Sequence, residues 1–497
     1  MRRRAVGLRA FAVSLALAVG LANAPKAIAA TITIVNGNAP GVGFNDSTPA
    51  TPVGGNTGTT VGAQRLIAFQ FAADIWASKL QSSVEIRVRG SFIPLQCDAT
   101  TGTLGQASAT QSLRDFPGAP VRGTYYPVSL ANAIAGTDLS TNDDISAQFN
   151  SAIGQTNCLD GSPWYYGLDN NHGSAVDLVT VLLHEFGHGL GFITLVNVNT
   201  GAEFLGNPDI WERNILDTST GKHWVDMTDS ERAASALNGR KVVWDGAHAT
   251  AQAPSTLALG TPVVTVASPA LIAGTLAVGV ADFGQPFFSP GVTGGLVAAN
   301  DASDSNGPST TDGCSPLTNP AEVAGKIALI DRGTCLFTIK VKNAQDAGAI
   351  GVLVADNTAG SPPGGMGGFD STIKIPSGRI TMSDGATLRA NLSSGVTVTL
   401  GVDSTLRAGE DRSGHVLLDA TNPIQGGSTM SHWDPIAFPN LLMEPEISPD
   451  LPQNVDLTLP LLVDIGWTAL TIPEGGPRPP IDEVPSHHQT HSVPPRN

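Results

Sequence analysis

The segment that most constrains this chain is Val181-Leu182-Leu183-His184-Glu185-Phe186-Gly187-His188-Gly189-Leu190-Gly191-Phe192. An apolar run of this length, closed by glycines, reads as a helix buried on most sides. Side chains four residues apart share a helix face, so His184 and His188 present two imidazoles to one point. Two imidazoles so placed suit a tetrahedral zinc ion. Glu185 sits beside them. An unpaired carboxylate on a buried helix is costly, and a base next to a metal gives it a use, because it can take a proton from a zinc-activated water. The helix is expected to begin near Ser174, where Ser174 and Asp177 have capping-box spacing with Asp in place of Glu. Gly189 and Gly191 mark its end.

A chain of 497 residues exceeds one compact core, so two or three domains are expected. A net charge of −16, with 14% charged residues, gives no electrostatic reason to bind nucleic acid or anionic lipid. Arg2 to Arg4, the apolar run Phe11 to Leu21 and Ala27-Ile28-Ala29 have the order of a signal peptide, so residues 1–30 are expected to direct export to the periplasm or medium. That run is shorter than the roughly 20 residues of a membrane span, and no later stretch is apolar enough. Four cysteines in an exported chain suggest two disulfides. Of the three pairings, Cys97–Cys158 with Cys314–Cys335 keeps each bridge inside one proposed domain.

Leu66, Phe69, Ala73, Trp76 and Leu80 recur at helical steps, and Val84, Ile86 and Val88 then alternate as in a half-buried strand. The fold class is therefore α+β, a helix packed on a sheet. Residues 31–262 form the first part of the unit that carries the His-Glu helix. Residues 263–405 turn to Gly, Ala, Val and Thr without a histidine, with strands expected at Lys326–Ile330 and Ile350–Ala355 and a helix lined by Phe337, Val341 and Ala344. Residues 406–470 complete the first unit and end in an apolar helix, Leu457 to Val463. The Pro-rich stretch 471–497, with His487, His488 and His491, reads as a solvated tail rather than a metal site.

Two histidines do not complete a zinc site. Metzincins place a third His three residues beyond the glycine after the helix, and here that position holds Thr194. Far downstream stand Ser431-His432-Trp433-Asp434, Asn440-Leu441-Leu442-Met443-Glu444-Pro445 and Leu459-Pro460-Leu461-Leu462-Val463-Asp464-Ile465-Gly466-Trp467. With the helix motif, this arrangement resembles the leishmanolysin-like metzincins, in which an insertion displaces the third histidine downstream. The resemblance implies a metzincin-type catalytic domain, a twisted sheet plus active-site helix. It also implies one catalytic zinc ion on His184, His188 and His432, with Met443 in the Met-turn beneath it, and Trp467 ending the last helix of the domain. The activity implied is that of a secreted zinc endopeptidase acting on protein or peptide, with Glu185 as catalytic base. The residues themselves leave rivals for the third ligand. Glu212 would suit a thermolysin-like site, and His223 also precedes a Trp. His172, His248 and His415 read as surface or core histidines.

The insertion has its own resemblance. Gly313-Cys314-Ser315-Pro316, Val323 to Phe337 and Lys342 to Ala349 are similar to a protease-associated (PA) domain, a β-rich non-catalytic module found in several unrelated peptidases. Serine peptidases and di-zinc aminopeptidases also carry PA domains, but Asn171-His172-Gly173-Ser174 is a poor serine-peptidase match and no bridged di-metal series is visible. The other reading is an exported binding or adhesion protein on a degenerate peptidase scaffold, supported by Thr194 and opposed by Glu185. An extended substrate is expected to add as a strand to a sheet edge, for which 143–150 is the candidate.

Overall fold

Parallel strands cannot be joined by a tight turn and need a long crossover, which the chain supplies at once. Strand β1 (Ile32–Asn36) leads through helix α1 (Val61–Ala77) to strand β2 (Ile86–Ile93), which pairs in parallel with β1, Ile32 opposite Ile86. The computed structural model describes residues 28–470 except Thr100 and Phe369. The expected signal peptide, apart from its last three residues, and the expected tail lie outside the described residues. Antiparallel β3 (Gly105–Ala109) and parallel β4 (Ile145–Asn150) complete the sheet in the order β1-β2-β4-β3. In β2 the apolar Ile86, Val88 and Phe92 point inward, and Arg87 and Arg89 point out.

Helix α1 covers the inner face with Ala68, Phe69, Ala72, Ala73 and Trp76, all fully buried. Leu66, expected on that face, is 41% exposed instead. The buried stripe runs through small alanines that hydrophobicity alone undervalues, and Leu66 falls just beyond its edge. Phe69 meets Phe44, Phe149 and Phe186 at ring-centroid distances of 4.7, 4.9 and 6.0 Å, joining α1, the sheet and the next helix. That helix is α2 (Leu178–Leu190), every residue of which is buried. Its cap is Asp177, whose side chain accepts from the Thr180 N–H, so the helix starts about one turn later than Ser174. Val176 and Asp177 are held beforehand in a two-residue parallel pair with Trp164 and Tyr165, which delays the helix.

The 143–150 segment is not a sheet edge. Strand β4 is paired on both sides; the edges are β1 and β3, and β3 has the sequence Gly-Gln-Ala-Ser-Ala, which carries little strand signal.

A second sheet of eight strands begins at Leu259 and ends at Arg407. Its centre is parallel, Val292–Ala298, Ile327–Asp331, Gly351–Ala355 and Ser377–Ile380. Ile327, Leu329 and Leu353 enter one apolar cluster, whereas Ala328, Ile330, Val352 and Val354 enter another on the opposite face. That double burial explains why these strands read as continuous apolar runs. The first and last strands of this sheet pair antiparallel, Leu259 opposite Arg407, so the insertion leaves and returns at adjacent points. The chain then rejoins the first unit. Val416–Leu417 pairs with Val242–Trp244, and residues from both flanks of the insertion share one core.

Both expected disulfides are present, Cys97–Cys158 and Cys314–Cys335. No helix among the described residues is long and apolar enough to cross a membrane.

Helix α2 presses hard on β4. A Cβ at Gly189 would lie 2.4, 2.9 and 3.0 Å from three side-chain carbons of Ile145. Alanine is favoured over glycine in a helix by about 1 kcal/mol, but overpacking a core costs about 1–3 kcal/mol, so the clash should win. Gly189→Ala is expected to lower the urea midpoint of the full chain. Adding Ile145→Ala should cost less than the two single changes summed. An unchanged or raised midpoint for Gly189→Ala would show that the helix does not bear on the strand there.

Candidate metal centre

Helix α2 carries His184 and His188 one turn apart, and the segment after the insertion brings His432 to them. Among the described residues these three form one group able to hold a metal ion, and all are buried. Their Nε2 atoms are separated by 3.1 Å (His184–His188), 3.2 Å (His188–His432) and 3.3 Å (His184–His432).

The other ring nitrogens decide what those contacts are. His184 Nδ1 lies 2.7 Å from the Leu442 carbonyl, His188 Nδ1 2.7 Å from that of Phe192, and His432 Nδ1 2.9 Å from that of Ser428. A carbonyl only accepts, so each Nδ1 carries the proton and each Nε2 is left with a bare lone pair. Burial lowers the imidazole pKa values, to about 3 for His184 and about 4 for His188, and well below the usual range for His432, where His188 and His184 add repulsion. Three lone pairs therefore face one another. Such a triad calls for a cation at its centre. Tetrahedral zinc with Zn–N bonds of about 2.0–2.1 Å requires N···N separations of about 3.3–3.4 Å, close to those found, so zinc is the ion this donor set fits.

The backbone around the triad is shaped to make these contacts. At the end of α2 Gly191 has φ +128°, and the Phe192 N–H returns to the Gly187 carbonyl at 3.0 Å. This reversal brings the Phe192 carbonyl back to His188. A Cβ on Gly191 would strike Ile465 Cδ1 at 2.7 Å and Pro127 Cγ at 3.0 Å. Met443 packs under the helix at Gly187, where a Cβ would come within 2.8 Å of its Sδ. The neighbouring Leu442 carbonyl orients His184, and the Trp467 indole N–H donates to the Leu190 carbonyl at 2.9 Å.

Glu185 lies beside the triad, buried, with the Ala107 N–H of β3 bonded to its carboxylate. Burial pushes its carboxyl up to about 8, against the pull of that N–H. The triad and Glu185 open into a cleft of about 1190 Å³, bordered by Gly105, Gln106 and Ala107 of β3 and by Pro445 to Pro449. None of the described residues lining it comes from the insertion.

The rivals for the third ligand lie elsewhere. Glu212 accepts from the Asp209 N–H at 2.9 Å and faces Arg232 at 3.8 Å. His223 pairs with Asp245, His248 with Asp464 and His415 with Asp411. His172 lines the cleft, its ring between the carbonyls of Ala175 and Pro449. Thr194 donates its hydroxyl to Asp209 at 3.1 Å, and its N–H reaches Ser431 Oγ at 3.4 Å, next to His432. Sequence reasoning passed over Asp209 and the three carbonyls. Every residue has a carbonyl, so no residue type signals this role.

The family profile for the PA domain matches residues 292–388. Human ER degradation-enhancing alpha-mannosidase-like protein 3 is 46% identical over 86 residues, 17% of this chain and 8% of that protein. Leucine aminopeptidase 2 of Arthroderma otae is 43% identical over 93 residues, 18% of this chain and 19% of the enzyme. The chain thus spans less than a fifth of the length of these relatives. Among solved structures, BSAP, a zinc aminopeptidase from Bacillus subtilis, is 23% identical over 30% of this chain and 31% of its own, with a TM-score of 0.23, too slight a likeness to assign a fold. A mannosidase-like protein and an aminopeptidase both match, each over fewer than 100 residues. Such short matches do not choose between chemistries. None of these likenesses supports the metzincin resemblance.

If the three imidazoles hold one ion, dialysed wild-type protein should retain one zinc per chain by metal analysis. His432→Ala should then weaken zinc binding at least about tenfold, whereas Glu212→Gln, which leaves the triad intact, should keep it. Zinc loss in Glu212→Gln with retention in His432→Ala would reverse the assignment.

Proposed function

We propose that the chain is an exported zinc endopeptidase of the metzincin type, with His184, His188 and His432 holding one ion and Glu185 acting as general base. The observation that carries this reading is the convergence of three bare imidazole nitrogens beside a buried carboxylate in an open cleft. Structural zinc sites are closed by four protein ligands, whereas catalytic sites offer three and keep a position open. A site built only for structure also has no use for Glu185.

Zinc held by His184, His188 and His432 would acidify a water and polarise the scissile carbonyl. Glu185 takes a proton from the attacking water and passes it to the departing amide nitrogen. The free edge of β3, with Gly105 to Ala107 on the cleft wall, offers backbone groups other than the Ala107 N–H, which Glu185 holds, to an extended peptide. The peptide would thus lie as an added strand beside the base. A di-zinc mechanism is disfavoured by the single metal group among the described residues, because it needs a second ligand set. Two disulfides and the signal-like leader support export.

Glu185→Gln keeps the shape and removes the base, so kcat on a peptide substrate is expected to fall by about 10²–10⁴-fold with zinc still bound. Chelation of the wild type should abolish hydrolysis, and added zinc should restore it. Full activity in Glu185→Gln, or hydrolysis indifferent to chelators, would overturn the reading.

A further inference from the structure

Two stretches of the cleft wall, 172–177 ahead of α2 and 445–451 beyond the Met443 turn, are tied together by side chains. Asn170 Nδ2 donates to the Leu451 carbonyl at 3.1 Å, and Gln453 Nε2 to Asp177 Oδ2 at 2.9 Å. The third tie is the ring of His172, whose Nε2 lies 3.0 Å from the Pro449 carbonyl.

His172 differs from the two amides because both of its ring nitrogens face acceptors. Gly173, at φ +59°, lets the chain turn back on itself. The Ala175 N–H then donates to the His172 carbonyl at 3.0 Å, and the Ala175 carbonyl comes within 2.8 Å of His172 Nδ1. A carbonyl only accepts, and a neutral imidazole carries a single N–H. Neutral His172 therefore satisfies one contact and sets a lone pair against a carbonyl oxygen in the other. The imidazolium, with two donors, satisfies both. The charges nearby suit it. Asp177 and Asp169, the latter held by the Tyr165 hydroxyl at 2.6 Å, stand on its own segment, and Glu446 and Asp450 on the rim it reaches. Asp98 and Glu185 line the same cleft, and none of the described residues lining it is Lys or Arg. The opposing charge is the ion proposed at the triad.

We propose that His172 is a positioning residue, clasping the two rims in its charged form and releasing the 445–451 rim when it loses its proton. Its effect on substrate rests on the peptidase reading above, to which it adds a cleft wall that responds to pH. Histidine changes charge between about pH 5 and 8, so the clasp is complete on the acid side of that range and one bond short on the alkaline side. Charge-assisted hydrogen bonds are also about twice as strong as neutral ones, so the bond that survives is weaker. Acting through the wall rather than on the reacting bond, His172 should move KM, while the pH dependence of kcat belongs to Glu185.

The zinc-loaded full chain and its His172→Gln variant, compared from pH 5.5 to 8.5, test this. NMR of protein carrying ¹³C-labelled histidine gives the titration of His172, assigned by the signal missing from the variant. Hydrogen exchange over 445–456, corrected for its intrinsic pH dependence, should quicken at least about fivefold in the wild type with the same midpoint. In His172→Gln it should match the alkaline wild type at every pH. The KM of a peptide substrate should be about fivefold or more higher in His172→Gln than in wild type at pH 5.5 and equal at pH 8.5, with matching kcat profiles. Wild-type exchange indifferent to the titration of His172, a variant that keeps the wild-type profile, or equal KM at pH 5.5 would overturn the proposal. Were exchange to follow His172 while no peptide was cleaved, the peptidase reading would fall and the clasp would stand.

Discussion

Three hydrogen bonds from imidazole Nδ1 to backbone carbonyls set the chemistry of this molecule. Each fixes a tautomer and a ring plane, and together they leave three lone pairs aimed at one point. Each carbonyl is held by a separate piece of the fold. The Phe192 carbonyl depends on the Gly191 reversal, the Leu442 carbonyl on the turn that seats Met443, and the Ser428 carbonyl on the loop that returns from the insertion.

The insertion is tolerated because its two ends are strand neighbours. Leu259 and Arg407 are register partners, and the Ala408 N–H donates to the Ala258 carbonyl at 3.0 Å. The flanking segments therefore meet as though little separated them, although His188 and His432 stand 244 residues apart. The inserted sheet has its own cores on both faces and lends no described residue to the cleft wall. The centre is thus assembled by the outer unit alone, with Trp76 and Trp467 each donating to a carbonyl of α2.

What could be read from the sequence follows from how local each signal is. The His-Glu helix announces itself within a dozen residues, and the three histidines put forward do meet in space. The buried parallel strands of the insertion, with their unbroken apolar runs, stood within a residue of their expected ends. Non-local features were harder. In strand β4 polar residues alternate with Ile145, Ala147 and Phe149, a pattern that does not separate edge from centre, and only its pairing on both sides makes it central. The edge at the cleft, β3, has one face against Glu185 and the other exposed, so Gly, Gln, Ala and Ser suffice there and leave no apolar pattern. The start of α2 lies beyond Ser174 because a two-residue strand pair, made with Trp164 and Tyr165, claims Val176 and Asp177 first.

The most direct test of the three-imidazole centre is X-ray absorption at the zinc edge of the metal-loaded protein. The account predicts three imidazole nitrogens at about 2.0–2.1 Å, with the remaining coordination filled by oxygen. A spectrum fitted by fewer than three imidazoles, or one containing a sulfur ligand, would contradict it.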